Sequence, residues 1–199
     1  MPLTRSQVVT AGVEILDAYG LADLSMRRLA DRLGVKAGAL YWHVANKQTL
    51  LAAISDEILA VPGGPCDQPG SGLGLGEGVR RWAHAMRRVL LDHHDGAELV
   101  ASTIAVGLGE VDPTARLLDF LVDQPMSRRR ATAVCRAVTH LVLGHTMDEQ
   151  TRHQLHDLAV VAAVDPAADV EDFEVAVDLL VAGLEAQRCR TGCDDGTVL

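Results

Sequence analysis

Apolar positions recur at helical spacing from the start of the chain. Val8, Val9, Val13, Ile15, Leu16 and Tyr19 mark one helix between residues 4 and 19, and Thr4 followed three positions later by Gln7 has the form of a capping box. Gly20 stops that run. Ser25 is placed to cap a second helix from Met26 to Leu33, with Leu24 set to staple against Leu29. Gly34 supplies the left-handed residue of a tight turn, where a Cβ would cost free energy. A short third helix is expected over 37–43, and Asn46 caps a fourth over 47–60 with Leu50, Leu51, Ile54 and Ile58 turned inward. Helix, helix, tight turn, short helix and longer helix make the helix-turn-helix arrangement.

The pattern then breaks. Residues 62–76, PGGPCDQPGSGLGLG, hold six glycines and three prolines in fifteen positions, a composition that cannot sustain a regular helix. We read three parts: a head at 1–61, a flexible connector at 62–76 and a body at 77–199. Helical runs in the body are expected near 77–94, 97–106, 113–123, 127–153 and 170–188. The last two are apolar over wide faces: Ala133, Val134, Ala137, Val138, Leu141 and Val142 in one, Val175, Val177, Leu179, Leu180, Val181 and Leu184 in the other. Faces wider than one core stripe call for a second partner, and a four-helix interface between two copies meets that need.

Composition agrees with an all-α chain. At 199 residues it is long enough to bury a core without disulfide staples; it is 48% apolar but only 3% aromatic, dominated by Ala, Leu and Val. The net charge of −9 argues at first against nucleic acid, yet residues 1–61 carry six cations and six acids, so the whole excess lies in 62–199. A neutral head with its cations clustered between 27 and 47 on an acidic body implies two tasks. No apolar run of about 20 residues is present, and a cytoplasmic protein is expected. Cys66, Cys135, Cys189 and Cys193 are read as free thiols, although Cys189 and Cys193 are spaced closely enough to clip the C-terminus.

The stretch LTRSQVVTAGVEILDAYGLADLSMRRLADRLGVKAGALYWHVANKQTLLAAISDEIL resembles the DNA-binding head of the tetracycline repressor family, notably in LYWHV and the Asn-Lys that follows; LLDHHDGAEL and LVLGHTMDEQ extend the similarity into the body. The resemblance implies a homodimeric repressor of double-stranded operator DNA, with no cofactor and no enzymatic activity. It places Arg27 on a base edge, where a bidentate guanidinium contact to guanine discriminates by about 1–3 kcal/mol. Lys36, Tyr41, His43 and Lys47 are placed on phosphates, and Trp42 at the back of the recognition helix, touching the DNA backbone. Ala37, Gly38 and Ala39 stand where relatives carry polar or Pro base readers, which points to an operator read partly through DNA shape.

The body departs further. The histidine that binds the magnesium of tetracycline in the family falls at Val100, the neighbouring arginine at Ile104, a drug-gripping amide at Trp82 and a phenylalanine at Met86. Valine has no lone pair to offer a metal, so tetracycline is not the expected ligand, although Thr103 and Asp148 keep compatible chemistry. A small, mostly hydrophobic effector is expected instead, lined by Trp82, Met86, Val100, Thr103, Ile104, Leu117 and Met147, with His140 as a polar anchor and His145 as a second candidate. The alternative is a DNA-binding regulator without an inducer. His93-His94 and the pair His153 and His156 lack a carboxylate-rich or HExxH frame, so no metal site is expected, and no nucleophile–base pair supports catalysis.

Overall fold

A computed structural model describes residues 3–192, with side chains described through residue 187. Nine α-helices and one 3-10 turn are found among the described residues, and no strand. The helices are α1 (Arg5–Tyr19), α2 (Met26–Leu33), α3 (Ala37–Leu40), α4 (Lys47–Leu59), α5 (Leu75–Leu91), α6 (Gly96–Val106), α7 (Ala115–Val122), α8 (Arg128–Asp157) and α9 (Pro166–Gly192). They form two compact units, residues 1–62 with 88–112 and residues 63–87 with 113–199.

In the first unit the local signals act as their chemistry dictates. Thr4 Oγ1 accepts from the Gln7 amide and Gln7 Oε1 from the Thr4 amide, which closes the capping box of α1. Ser25 Oγ accepts from the Arg28 amide, and Asn46 Oδ1 from the Thr49 amide. Gly34 adopts φ 65° and returns its amide to the end of α2. The core gathers Val8, Ile15, Leu16, Leu24, Leu29, Leu40, Leu50, Ile54 and Ile58, with Val89 and Leu99 joining from α5 and α6. Burying each such side chain contributes about 1.5–3 kcal/mol before entropy is counted. Gly12 lets α1 approach α4 closely; a Cβ there would lie 2.6 Å from Ile54 Cδ1.

Helix α6 packs on α4, so residues 88–112 belong with the head by packing, whereas the sequence division had placed them in the body. The reason is tertiary: Leu99 and Val89 complete the core that α1 and α4 leave open. In the expected connector, Pro65–Asp67 forms a 3-10 turn and Asp67 accepts from the Gly63 amide, while α5 starts at Leu75.

The second unit packs α7 on α8 and α8 on α9 around Trp82, Met86, Leu117, Leu121, Val138, Val142, Phe173, Val177 and Val181. Trp82 donates its indole N–H to the Pro113 carbonyl at 2.9 Å. Gly78 faces the Phe120 ring so closely that an added Cβ would overlap it. Two helices run longer than their periodicity predicts: α8 continues to Asp157, and α9 begins at Pro166, where Asp165 accepts from the Ala167 and Ala168 amides. Cys135 is buried and Cys66 half-buried, both reduced; the pairing question for Cys189 and Cys193 lies outside the described side chains.

Candidate nucleic-acid interface

The turn between α2 and α3 is built by Gly34 and by the Val35 amide, which donates to the Ala30 carbonyl at 3.0 Å. Helix α3 is a single turn and ends at Leu40, earlier than the expected His43. The His43 amide bonds the Leu40 carbonyl at 2.9 Å, three residues back, so the chain tightens over 41–43. Leu40 and Val44 take the inward positions of this segment and are fully buried. That leaves Tyr41 at 53% exposure and Trp42 at 90%. The placement of Trp42 behind the recognition helix is therefore corrected: the tightened turn carries it to the surface while the two aliphatic residues fill the inner side. His43 is half-buried.

The cations of the head sort into two groups. Arg32 forks onto Glu14 at 2.6 and 3.2 Å, bracing α2 against α1, and the Glu14 carboxylate holds the guanidinium above its ordinary pKa. Arg28 bonds Asp23 at 2.7 Å and lies 4.5 Å above the Tyr19 ring. Arg5 stands 3.7 Å from Glu110. Arg27, Lys36 and Lys47 are exposed and make no ion pair among the described residues. These three are the cations that the sequence assigned to DNA. Ala37 and Gly38 are exposed and Ala39 half-buried, and a Cβ at 38 would meet nothing within 4 Å.

The expected effector residues divide between the two units. Trp82, Met86 and Leu117 are fully buried in the second; Val100 and Thr103 are buried in the first, where the Thr103 hydroxyl donates to the Leu99 carbonyl and Ile104 is exposed. Met147 is half-buried, and His140 lies on the exposed face of α8, because Val138, Thr139 and Val142 turn inward there. The polar surroundings of Phe173 were not anticipated. Its ring meets His84 and His145 edge-on, with centroids 5.5 and 6.0 Å apart, and the Arg87 guanidinium lies 5.1 Å above it. Arg87 grips Glu149 through bonds of 2.7, 2.8 and 3.2 Å, both side chains nearly buried, and the Thr146 hydroxyl nearby in sequence is buried without a partner.

Glu149, His153 and Asp169 form a group that could converge on a cation, with Glu149 and His153 four apart on α8 as the only signal in the sequence. The charges speak for a closed network instead. Glu149 is matched by Arg87, and Asp169 by Arg152, with His153 2.9 Å from the other Asp169 oxygen. Burial pushes the Asp169 carboxyl up, but the bonds from His153 and Arg152 outweigh it and hold the group below its ordinary value. No described helix is long and apolar enough to cross a membrane.

Residues 8–54 match the model for bacterial regulatory proteins of the tetR family, and residues 68–188 the model for the tetracyclin repressor-like C-terminal domain. The tetracycline repressor protein class D of Escherichia coli is 34% identical over 148 residues, covering 74% of this chain and 67% of that protein. The crystal structure of BioQ from Mycobacterium smegmatis superposes with a TM-score of 0.81 at 37% identity over 92% of this chain and 98% of that one. BioQ with its double-stranded DNA operator gives 0.76 at 38% identity, with the same shares of the two chains covered. This is a family of regulators rather than enzymes. The chain belongs to the TetR family of bacterial regulatory proteins, DNA-binding transcriptional repressors with a helix-turn-helix head.

Proposed function

We propose that the chain is a ligand-responsive repressor that binds a palindromic operator as a homodimer and is released by a small, mostly hydrophobic effector other than tetracycline. The observation that carries the DNA half is the sorting of cations: Arg28 and Arg32 are spent on intramolecular carboxylates, and Arg27, Lys36 and Lys47 are left for phosphate and base edges. Arg27 reads a base. Lys36, Lys47, Tyr41 and His43 hold the backbone, and Trp42, at the surface, joins them on the sugar-phosphate. Ala37, Gly38 and Ala39 admit close approach without directional bonds, so part of the selectivity comes from the shape of the duplex.

Support for the dimer comes from faces that one chain leaves uncovered. Ala133, Ala137 and Gly144 of α8 are exposed, as are Val175 at 52% and Leu179 at 70% on α9. Small residues on one helix and aliphatic ones on the other suit close packing against a second copy. The two recognition segments then address major grooves about 34–36 Å apart. An effector that binds a more widely separated form better than the DNA-competent one lowers operator affinity, since both heads can no longer dock together.

Val100, taking the place of the metal-binding histidine, supports an effector that is not held through magnesium. The full burial of Trp82, Met86, Val100 and Leu117 favours the second reading, a regulator without an inducer. One experiment decides between them. The protein is used to select duplexes from random-sequence DNA, and hydrophobic antibiotics are then titrated against the selected complex while tryptophan fluorescence is followed. Release with a fluorescence change supports the effector; binding that no compound weakens supports the second reading; failure to select any duplex refutes both.

A further inference from the structure

Helix α6 is moored to the head at both ends by carboxylates that bond backbone amides. At its start, Asp95 takes the left-handed conformation, φ 55°, and does not cap α6; its Oδ2 accepts the Leu21 amide at 2.7 Å instead. Beyond its end, Asp56 of α4 accepts two successive amides of the loop at 107–112, Glu110 at 3.0 Å and Val111 at 2.9 Å. Gly109 makes that second mooring possible, because a Cβ there would stand 2.9 Å from Asp56 Oδ1.

Gly107 to Glu110 are exposed, and a cleft of about 340 Å³ opens beside the mooring, with Val9, Ala53, Glu57 and Val111 on its walls. An exposed pair of Arg5 and Glu110 stands 3.7 Å apart beside it. Two charge-assisted bonds from one carboxylate tie this loop to the C-terminal end of α4, in addition to the packing of α6 on the same helix.

We infer that Asp56 is a positioning residue for operator binding: by holding the loop at 109–111 it fixes the pose of α4 and hence of Lys47 at the other end of that helix. Nine residues of helical rise separate the two side chains by roughly 13 Å, so Asp56 acts through α4 and not on the DNA that Lys47 holds. The inference rests on the operator-binding reading and adds a residue of the first unit that acts through α4. Freedom gained by α4 when the mooring is lost has to be given up again on docking, which weakens binding.

The test uses the full chain and the duplex that wild type selects from random-sequence DNA. In Asp56→Ala the amides of Glu110 and Val111 exchange faster, and operator affinity falls about tenfold with an unchanged slope against salt, because no phosphate contact is lost. Asp56→Asn, which retains one acceptor, falls in between. Gly109→Ala pushes the carboxylate off its amides and reproduces the loss without touching Asp56, so the question stays answerable if Asp56→Ala fails to fold. The double variant is no weaker than the weaker single one, since the added methyl then has no carboxylate to displace. A purely structural role would lower the thermal midpoint and leave the affinity of the folded protein unchanged; that result, tighter binding, or additive losses would overturn the inference. If wild type itself selects no duplex, the operator-binding reading fails and the mooring role with it; if wild type binds and the variants match it, only the mooring role fails.

Discussion

Replacing Lys47 and Arg27 separately by alanine tests whether the free cations of the head divide into one that positions and one that reads. Neither side chain has an intramolecular carboxylate to lose, so the whole effect of each change falls on the DNA complex. Each phosphate neutralised by a lysine or arginine contributes about 0.9 to the slope of log K against log salt. With Lys36 and Lys47 on phosphates in each of two heads, the wild-type slope is expected at about −3.6, and Lys47→Ala in both chains makes it shallower by about 2. That loss is shared by all sequences. Arg27→Ala instead costs about 1–3 kcal/mol per half-site on the preferred operator and little on a duplex altered at the contacted base pair. Arg28→Ala and Arg32→Ala are the controls, because their charges are already matched by Asp23 and Glu14. Fluorescence anisotropy with the selected operator, its altered form and a salt series reads all of these. The reasoning is refuted if Arg28→Ala or Arg32→Ala flattens the salt slope as much as Lys47→Ala does, or if Lys47→Ala and Arg27→Ala discriminate between the two duplexes alike.

Trp42→Ala should leave the thermal midpoint within about 2 °C of wild type, as expected of an exposed residue, while weakening operator binding; calorimetry and anisotropy on the same preparation check the pair. Arg87→Met leaves Glu149 as a buried, uncompensated charge and should cost about 3–5 kcal/mol, whereas Arg87→Met combined with Glu149→Leu should recover most of it, as urea titration will show. Stability from Asp169 is present above the ordinary carboxylate value of 3.8 and is lost as the pH falls through the lower value of the folded state. Acid titration of Asp169→Asn followed by circular dichroism should therefore show a shallower loss of stability below about pH 4 than wild type shows.

Where the polypeptide declares itself through local chemistry, its structure could be read in advance. Thr4 with Gln7, Ser25 and Asn46 each cap the helix expected of them, since a cap depends on residues three apart. Gly34 was legible for the same reason. The end of α3 was not, because a 3-10 turn and an α turn differ by one hydrogen-bond register, and only the burial of Leu40 and Val44 decides which way Trp42 faces. The start of α9 was not legible either: apolar spacing begins near 170, whereas Asp165 accepts from the Ala167 and Ala168 amides and makes Pro166 a first-turn residue. Allegiances between distant segments left no local trace. The packing of α6 on α4, the surroundings of Phe173 and the network of Glu149, His153 and Asp169 depend on contacts tens of residues apart. Among the candidate site residues, the exposed cations of the head were foreseeable from clustering and resemblance, while the burial of Trp82, Met86 and Leu117 within one unit and of Val100 within the other was not.

The open space above Gly38 has an evolutionary consequence. A side chain introduced there would strike no neighbour, and φ at this position lies in the range any residue tolerates, so the architecture imposes no penalty on change. On the proposed reading, in which residue 38 faces the operator, descendants of this protein can acquire a new target sequence by a single codon at 38 while inheriting an intact scaffold. Selection for regulating a different promoter and selection for folding act there on separate things.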